Sequence, residues 1–161
     1  LKELRPIVSN FAVRAAEKLR NERQKCSQVS VFVRTSPFNR NKPQHSDLKT
    51  IELFTPTNDT RDILTAAKRG LLPIFKSGYD YAKAGLILNK FSDEKTKQYS
   101  LFKDPNEPKQ NMRLMKYLDQ MNNYETQIYY ASQNTKKWSP MKQNMTSPKY
   151  TTNWYELPKV N

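Results

Sequence analysis

Val29, Val31 and Val33 stand at every second position of the segment 28–35. That alternation commits the segment to a strand, with three β-branched side chains on one face and Ser30, Phe32 and Arg34 on the other. One strongly apolar face needs a covering layer, and the flanking sequence offers one. Over residues 3–23, Leu4, Val8, Phe11, Ala12, Ala15 and Leu19 recur at helical spacing. Pro6 suits the first turn, where its missing N–H leaves nothing unpaired. Arg14, Glu17, Lys18 and Arg20 take the wet side of that helix.

Two more strands and a second helix follow. Residues 48–54 read as a strand, then a Thr- and Asn-rich turn leads into a helix over 60–76 with Ile63, Ala66, Ala67, Leu71, Ile74 and Phe75 on its apolar stripe. Asp59 and Asp62 read as capping residues. Pro73 predicts a kink or a late break, and Gly78 a stop. Residues 80–89 give a third strand, with Ala82, Ala84, Leu86 and Leu88 on one face and Tyr81, Lys83, Gly85 and Ile87 on the other. Gly85 weakens this strand unless something approaches its backbone closely. His45 sits in the polar loop 39–47 with no second ligand nearby and reads as an exposed loop residue. Asp93-Glu94-Lys95 reads as a charged turn. The order helix, strand, strand, helix, strand predicts an α+β fold, an antiparallel sheet with two helices on one face.

Charge narrows the function. Lys and Arg number 28 against 15 Asp and Glu, a net +13 spread along the chain. Such a surface is built to meet a polyanion, with nucleic acid as the leading partner. An anionic membrane is disfavoured, since no strongly amphipathic basic helix stands out. Cys26 and His45 are each the sole residue of their type, which excludes a disulfide framework and a Cys-based metal site. With no signal peptide and no apolar run near 20 residues, a reducing, cytoplasmic setting is expected. The chain opens at Leu1 without Met and reads as a piece of something longer.

Beyond Lys103 the composition changes. Residues 103–110 are predicted as a linker and 111–161 as a weakly structured tail. The tail offers one amphipathic helix over 111–122, with Met112, Met115, Leu118 and Met121 on a face, and a short strand at 128–131. Segments around Trp138 and Tyr150 mix aromatics with Lys and Pro without periodicity. They either order on a partner or pack back onto the domain. At the seam, Gln98-Tyr99-Ser100-Leu101-Phe102 places two large apolar side chains at the domain exit. That pair either closes the core or is offered to a partner.

Several short stretches carry a family resemblance: Ala15-Ala16-Glu17-Lys18-Leu19-Arg20, Arg34-Thr35-Ser36-Pro37-Phe38, Thr55-Pro56-Thr57 with Arg61-Asp62-Ile63, Tyr81 with Lys83-Ala84-Gly85, and Ser147-Pro148-Lys149-Tyr150-Thr151-Thr152. In this order and spacing the chain resembles the C-terminal part of a UmuC-like Y-family translesion DNA polymerase. That part is a little-finger domain over 1–102 and a UmuC-type tail. The family's domain is βαββαβ, so its first strand is missing here and one sheet edge is left unpaired. The palm and its metal-binding carboxylates are missing too. The resemblance therefore implies no catalysis and no cofactor for this stretch, with Mg2+ belonging to the parent polymerase.

What remains is binding. The resemblance implies that the free sheet face lies along double-stranded primer-template DNA and touches phosphates rather than reading bases. Arg34, Thr35, Ser36, Lys49, Lys83 and Gly85 are the candidate DNA-binding residues: cations, hydroxyl donors, and a glycine that lets a backbone come close. Phe32 and Ile87 share a face with Arg34 and Lys83, which suggests a bulge that shifts parity. Gln98, Leu101 and Phe102 match the sliding-clamp pentapeptide of bacterial polymerases, with Leu and Phe as apolar anchors and Gln at the rim. For the tail, the resemblance implies a processed UmuD-type accessory protein and RecA as partners, in SOS DNA-damage tolerance. Two rivals are a free-standing nucleic-acid-binding module and a protein-docking domain whose charge is incidental.

Overall fold

A computed structural model describes residues 1–39, 41–95, 107–122, 128–133, 146–149 and 151–157. Helix α1 spans Leu4–Asn21, strands β1 and β2 span Gln24–Thr35 and Ser46–Thr57, helix α2 spans Thr60–Ile74, strand β3 spans Tyr81–Asp93, and helix α3 spans Glu107–Asn122. The three strands are antiparallel in the order β2-β1-β3, so the valine strand is central. Val29, Val31 and Val33 are fully buried beneath α1 and α2.

Each helix is placed by its sequence. In α1, Val8, Ala12, Ala16 and Leu19 are buried. The small Ala12 and Ala16 keep that helix close to the sheet. Lys18 and Arg20 in its last turn oppose the negative end of the helix dipole. The chain then reverses through Arg23 in the left-handed region, φ 54°, whose N–H donates to the Arg20 carbonyl at 3.0 Å. Helix α2 starts on Asp59, whose carboxylate accepts from the Arg61 N–H at 2.8 Å. Ile63, Leu64, Ala66, Ala67, Leu71 and Ile74 form its buried face. Gly70 lies where α2 crosses the sheet: a Cβ there would come within 3.2 Å of Val31 Cγ2. Pro73 lies in the last turn and the helix ends one residue later, with Phe75 already extended.

The strands are longer than the alternation predicts, and their irregularities matter. Between Arg34 and Thr35 the β1–β3 register slips, so that Arg34 faces Lys83 while Thr35 faces Tyr81. Ala82 is the extra residue. This slip corrects the predicted faces of β3. Tyr81 turns to the covered side and packs against the core, while Ala82 is exposed. Tyr81 Oη accepts from the Lys76 N–H at 2.9 Å and lies 3.3 Å from His45 Nδ1. His45, expected as an exposed loop residue, is half-buried, its ring centroid 5.0 Å from that of Tyr79.

The tail departs most from expectation. Helix α3 begins at Glu107, inside the predicted linker. It docks on the helical layer, with Met115 fully buried. Arg20 is the hub of that contact. Its Nε and Nη2 donate to the two carboxylate oxygens of Asp119, each at 2.6 Å, and its Nη1 donates to the Asn58 carbonyl at 2.8 Å and to Thr60 Oγ1 at 2.9 Å. One guanidinium thus joins the end of α1, the start of α2 and the last turn of α3. Arg61 Nη2 adds a bond to Asn111 Oδ1 at 2.7 Å. Residues 128–131 are not a strand. Tyr130 instead packs against the core, its hydroxyl 3.6 Å from Met115 Sδ. Burial raises its pKa above the ordinary tyrosine value. Trp154 and Tyr155 are 86% and 98% exposed. Tyr130 thus packs back onto the domain, while Trp154 and Tyr155 face solvent.

Candidate nucleic-acid interface

The uncovered face of the sheet can be read row by row, because directly paired residues on antiparallel strands point the same way. From the β1–β2 hairpin end, the rows are Ser46–Arg34–Lys83, Leu48–Phe32–Gly85, Thr50–Ser30–Ile87 and Glu52–Gln28–Asn89. Arg34 and Lys83 are therefore cross-strand neighbours, both exposed, and neither makes an ion pair among the described residues. Two like charges side by side disfavour the isolated sheet and favour an anion placed between them.

The rest of the face is not basic. The second row is apolar. A Cβ on Gly85 would lie 2.5 Å from the Phe32 ring: the ring lies across the glycine, a cross-strand pairing that compensates a glycine in a strand. The third row is neutral, with Ser30 Oγ and Thr50 Oγ1 2.8 Å apart. The fourth holds a carboxylate. Glu52 accepts from Gln28 Nε2 at 2.8 Å and from Lys90 Nζ at 2.9 Å, and the Lys90 bond holds its pKa below the usual carboxylate value. The exposed positive charge left over on this face belongs to the hairpin end.

Three sequence-level site assignments change with this geometry. Gly85 does receive a close neighbour, but that neighbour is Phe32. Thr35 is 5% exposed. Its hydroxyl donates to Gln44 Oε1 at 2.7 Å and accepts from the His45 N–H at 3.1 Å, so it ties down the hairpin instead of facing solvent. Lys49 pairs with the buried Val31 and so belongs to the opposite face, exposed along the outer strand β2. Phe32 and Ile87 stay on the face of Arg34 and Lys83, since the parity shift falls after Arg34. Ser36 remains beside the cationic pair and lines a cavity of about 210 Å³ with Arg34, Pro37, Phe38, Ala82 and Lys83. Phe38, which no pattern of periodicity marks, is 92% exposed there. Gln98, Leu101 and Phe102 lie outside the described residues. Among the described residues no group of three or more His, Cys, Asp or Glu side chains is placed to hold a metal ion, and no helix is long and apolar enough to cross a membrane.

The C-terminal domain of the impB/mucB/samB family matches residues 1–101, which hold every element of the sheet and both helices over it. The chain belongs to the impB/mucB/samB family. A domain of unknown function, DUF4113, matches residues 112–160, including most of α3. Among curated relatives of this impB/mucB/samB chain, Protein UmuC of Salmonella typhimurium is 41% identical over 161 residues, covering 98% of this chain and 38% of UmuC. Protein SamB of Salmonella typhimurium is 41% identical over 156 residues, covering 96% of this chain and 37% of SamB. Protein MucB of Escherichia coli is 40% identical over 159 residues, covering 98% of this chain and 37% of MucB. The chain is a UmuC-like C-terminal fragment and spans a little over a third of the length of these relatives.

Proposed function

We propose that this chain is the DNA-gripping and clamp-tethering part of an error-prone translesion DNA polymerase that acts in SOS DNA-damage tolerance. One observation carries the DNA reading: Arg34 and Lys83 sit side by side on the open face, exposed and without a carboxylate partner among the described residues. They would straddle backbone phosphates of double-stranded primer-template DNA, with Ser36 as a neutral donor beside them. Contacts of that kind position a duplex without reading its sequence, as a polymerase that copies any template requires. The family membership supports the same reading. No catalysis is assigned to these residues, and the fragment needs no cofactor. Mg2+ would serve the parent polymerase.

The test is the salt dependence of duplex binding. Arg34→Ala and Lys83→Ala are each expected to weaken binding about equally for all sequences and to reduce the slope of log K against log salt by about one. A slope unchanged in both variants overturns the reading. Clamp tethering rests on the pattern of Gln98, Leu101 and Phe102. The double substitution Leu101→Ala/Phe102→Ala is expected to abolish binding to a sliding clamp in a pull-down while leaving duplex binding intact. Loss of the fold instead would mean that the pair belongs to the core. The outward-facing Trp154 and Tyr155 support the tail as the region that meets a processed UmuD-type accessory protein or RecA.

A further inference from the structure

A chain that grips DNA by stacking needs an aromatic ring that is both open and held still. On the strands, Phe32 lies on Gly85 and Tyr81 is packed among His45, Phe75 and Tyr79, while the exposed Phe54 and Phe91 stand at the end of the sheet away from Arg34 and Lys83. Phe38 is the opposite case. It occupies a corner of the tight turn Ser36-Pro37-Phe38-Asn39, closed by the Asn39 N–H on the Ser36 carbonyl at 3.4 Å, with Pro37 at the position that pre-sets such a turn. The turn is braced from behind. Gln44 Nε2 donates to the Asn39 carbonyl at 2.8 Å and to the Lys42 carbonyl at 3.2 Å, while its Oε1 holds the buried Thr35 hydroxyl. The Phe38 ring is 92% exposed on this braced support. Phe38 lines the cavity of about 210 Å³ together with Arg34 and Lys83. That volume is below the roughly 300 Å³ at which pockets for whole small molecules begin, and it suits one unit of a polymer.

We infer that this corner is a seat for a single unpaired nucleotide, its base stacked on Phe38 and its phosphate held by Arg34 and Lys83. The assignment of the phosphate rests on the DNA reading above; the stacking half does not. Charge complementarity selects the occupant: two adjacent unpaired cations call for an anionic ligand, and an exposed flat ring beside them calls for a π-face. A nucleotide freed from its stack supplies both. A base paired inside a duplex does not offer its face, so the corner favours DNA with a single-stranded extension over blunt duplex.

The experiment titrates the full 161-residue chain with two fluorescent DNAs sharing one duplex, one blunt and one with a short single-stranded template overhang. The unmodified chain is expected to bind the overhang substrate at least fivefold more tightly. Phe38→Ala is expected to remove that preference while leaving blunt-duplex affinity and the salt slope unchanged. Phe38→Trp is expected to restore it, with the fluorescence of the new indole quenched on addition of the overhang DNA. Circular dichroism of each variant confirms that an exposed turn residue has been changed without loss of fold. The inference fails if the unmodified chain shows no overhang preference, or if Phe38→Ala leaves the preference intact or weakens both substrates equally. The two readings separate cleanly. Unchanged salt slopes in Arg34→Ala and Lys83→Ala overturn the phosphate grip, whereas a lost overhang preference in Phe38→Ala with normal blunt binding upholds the stacking seat.

Discussion

The two faces of the sheet obey different rules. At its centre the covered face is uniform: Val29, Val31 and Val33, with Ala84, Leu86 and Leu88 beside them, meet the small and branched residues of α1 and α2. The open face changes character with every row, from two unpaired cations through an apolar pair and a hydroxyl pair to a carboxylate already held by Lys90 and Gln28. Burial has one criterion, removal of apolar area from water, so the residues beneath the helices give the same answer, and only the outer strand departs from it, with Asp47 and Lys49 exposed. The open face has no such common demand. The open face leaves its free positive charge in one corner, at Arg34 and Lys83.

Substitutions can break this contrast, beginning with the largest expected effect. Arg20→Ala removes the partner of Asp119 and the donor to Asn58 and Thr60, in a cluster where the two charged side chains are only 7% and 19% exposed. A loss of about 3 kcal/mol of stability is expected in urea unfolding, with the salt slope of the surviving folded protein unchanged. A slope that falls with stability would mean that the helical layer takes part in DNA binding. Next, Phe32→Ala uncovers Gly85 on the open face, where only a partial burial is at stake. About 1 kcal/mol of destabilisation is expected, and a much larger loss would make the open face a second core.

Ser9→Ala tests the covered side in the other direction. Ser9 is buried in α1 with no hydrogen-bond partner for its hydroxyl among the described residues. Replacing it should stabilise the fold by roughly 0.5–1 kcal/mol, visible as a higher urea midpoint at unchanged m-value. The smallest effect belongs to Glu52. Its pKa is depressed in the folded state, chiefly by the hydrogen bond from Lys90. The associated stabilisation is therefore present above the unfolded carboxylate pKa and fades as pH falls through the lowered one. NMR titration of the Glu52 side chain should show a pKa below the usual glutamate value that moves up in Lys90→Ala. No movement would mean that the pair is not formed in solution.

Much of the architecture was legible in the residues, and the errors have particular causes. The valine alternation, the α1 and α2 stripes and the Asp59 cap are local patterns, each readable within about a dozen residues. The bounds of the strands were drawn short because Ser46, Asp47 and Thr57 are held by partners across the sheet and not by their own propensity. Arg34 and Lys83 could be named from charge and parity. That they are neighbours could not, since the slip at Arg34/Thr35 is a property of the pairing between two strands distant in the sequence. The same slip moved Tyr81 off the open face, and Phe32 filled the space at Gly85 that the glycine alone seemed to hold open for DNA. The predicted linker 103–110 shares its last residues with α3, which starts at Glu107. Its docking depends on Arg20 and Asp119, which are 99 residues apart.

By itself, then, the sequence determined the layers: which segments are helices, which are strands, and which sides of them must be hidden from water. Those follow from periodicity, because an apolar stripe has the period of the element that carries it. Only the tertiary structure decided what the exposed residues do. Thr35 became a brace, Gly85 a bed for Phe32, Lys49 a cation on the far face, and Phe38 an open ring beside two free cations. The physical reason is that exposure and pairing depend on what happens to lie across the sheet or above the helix. That is fixed by contacts between distant segments, whose register no local pattern records.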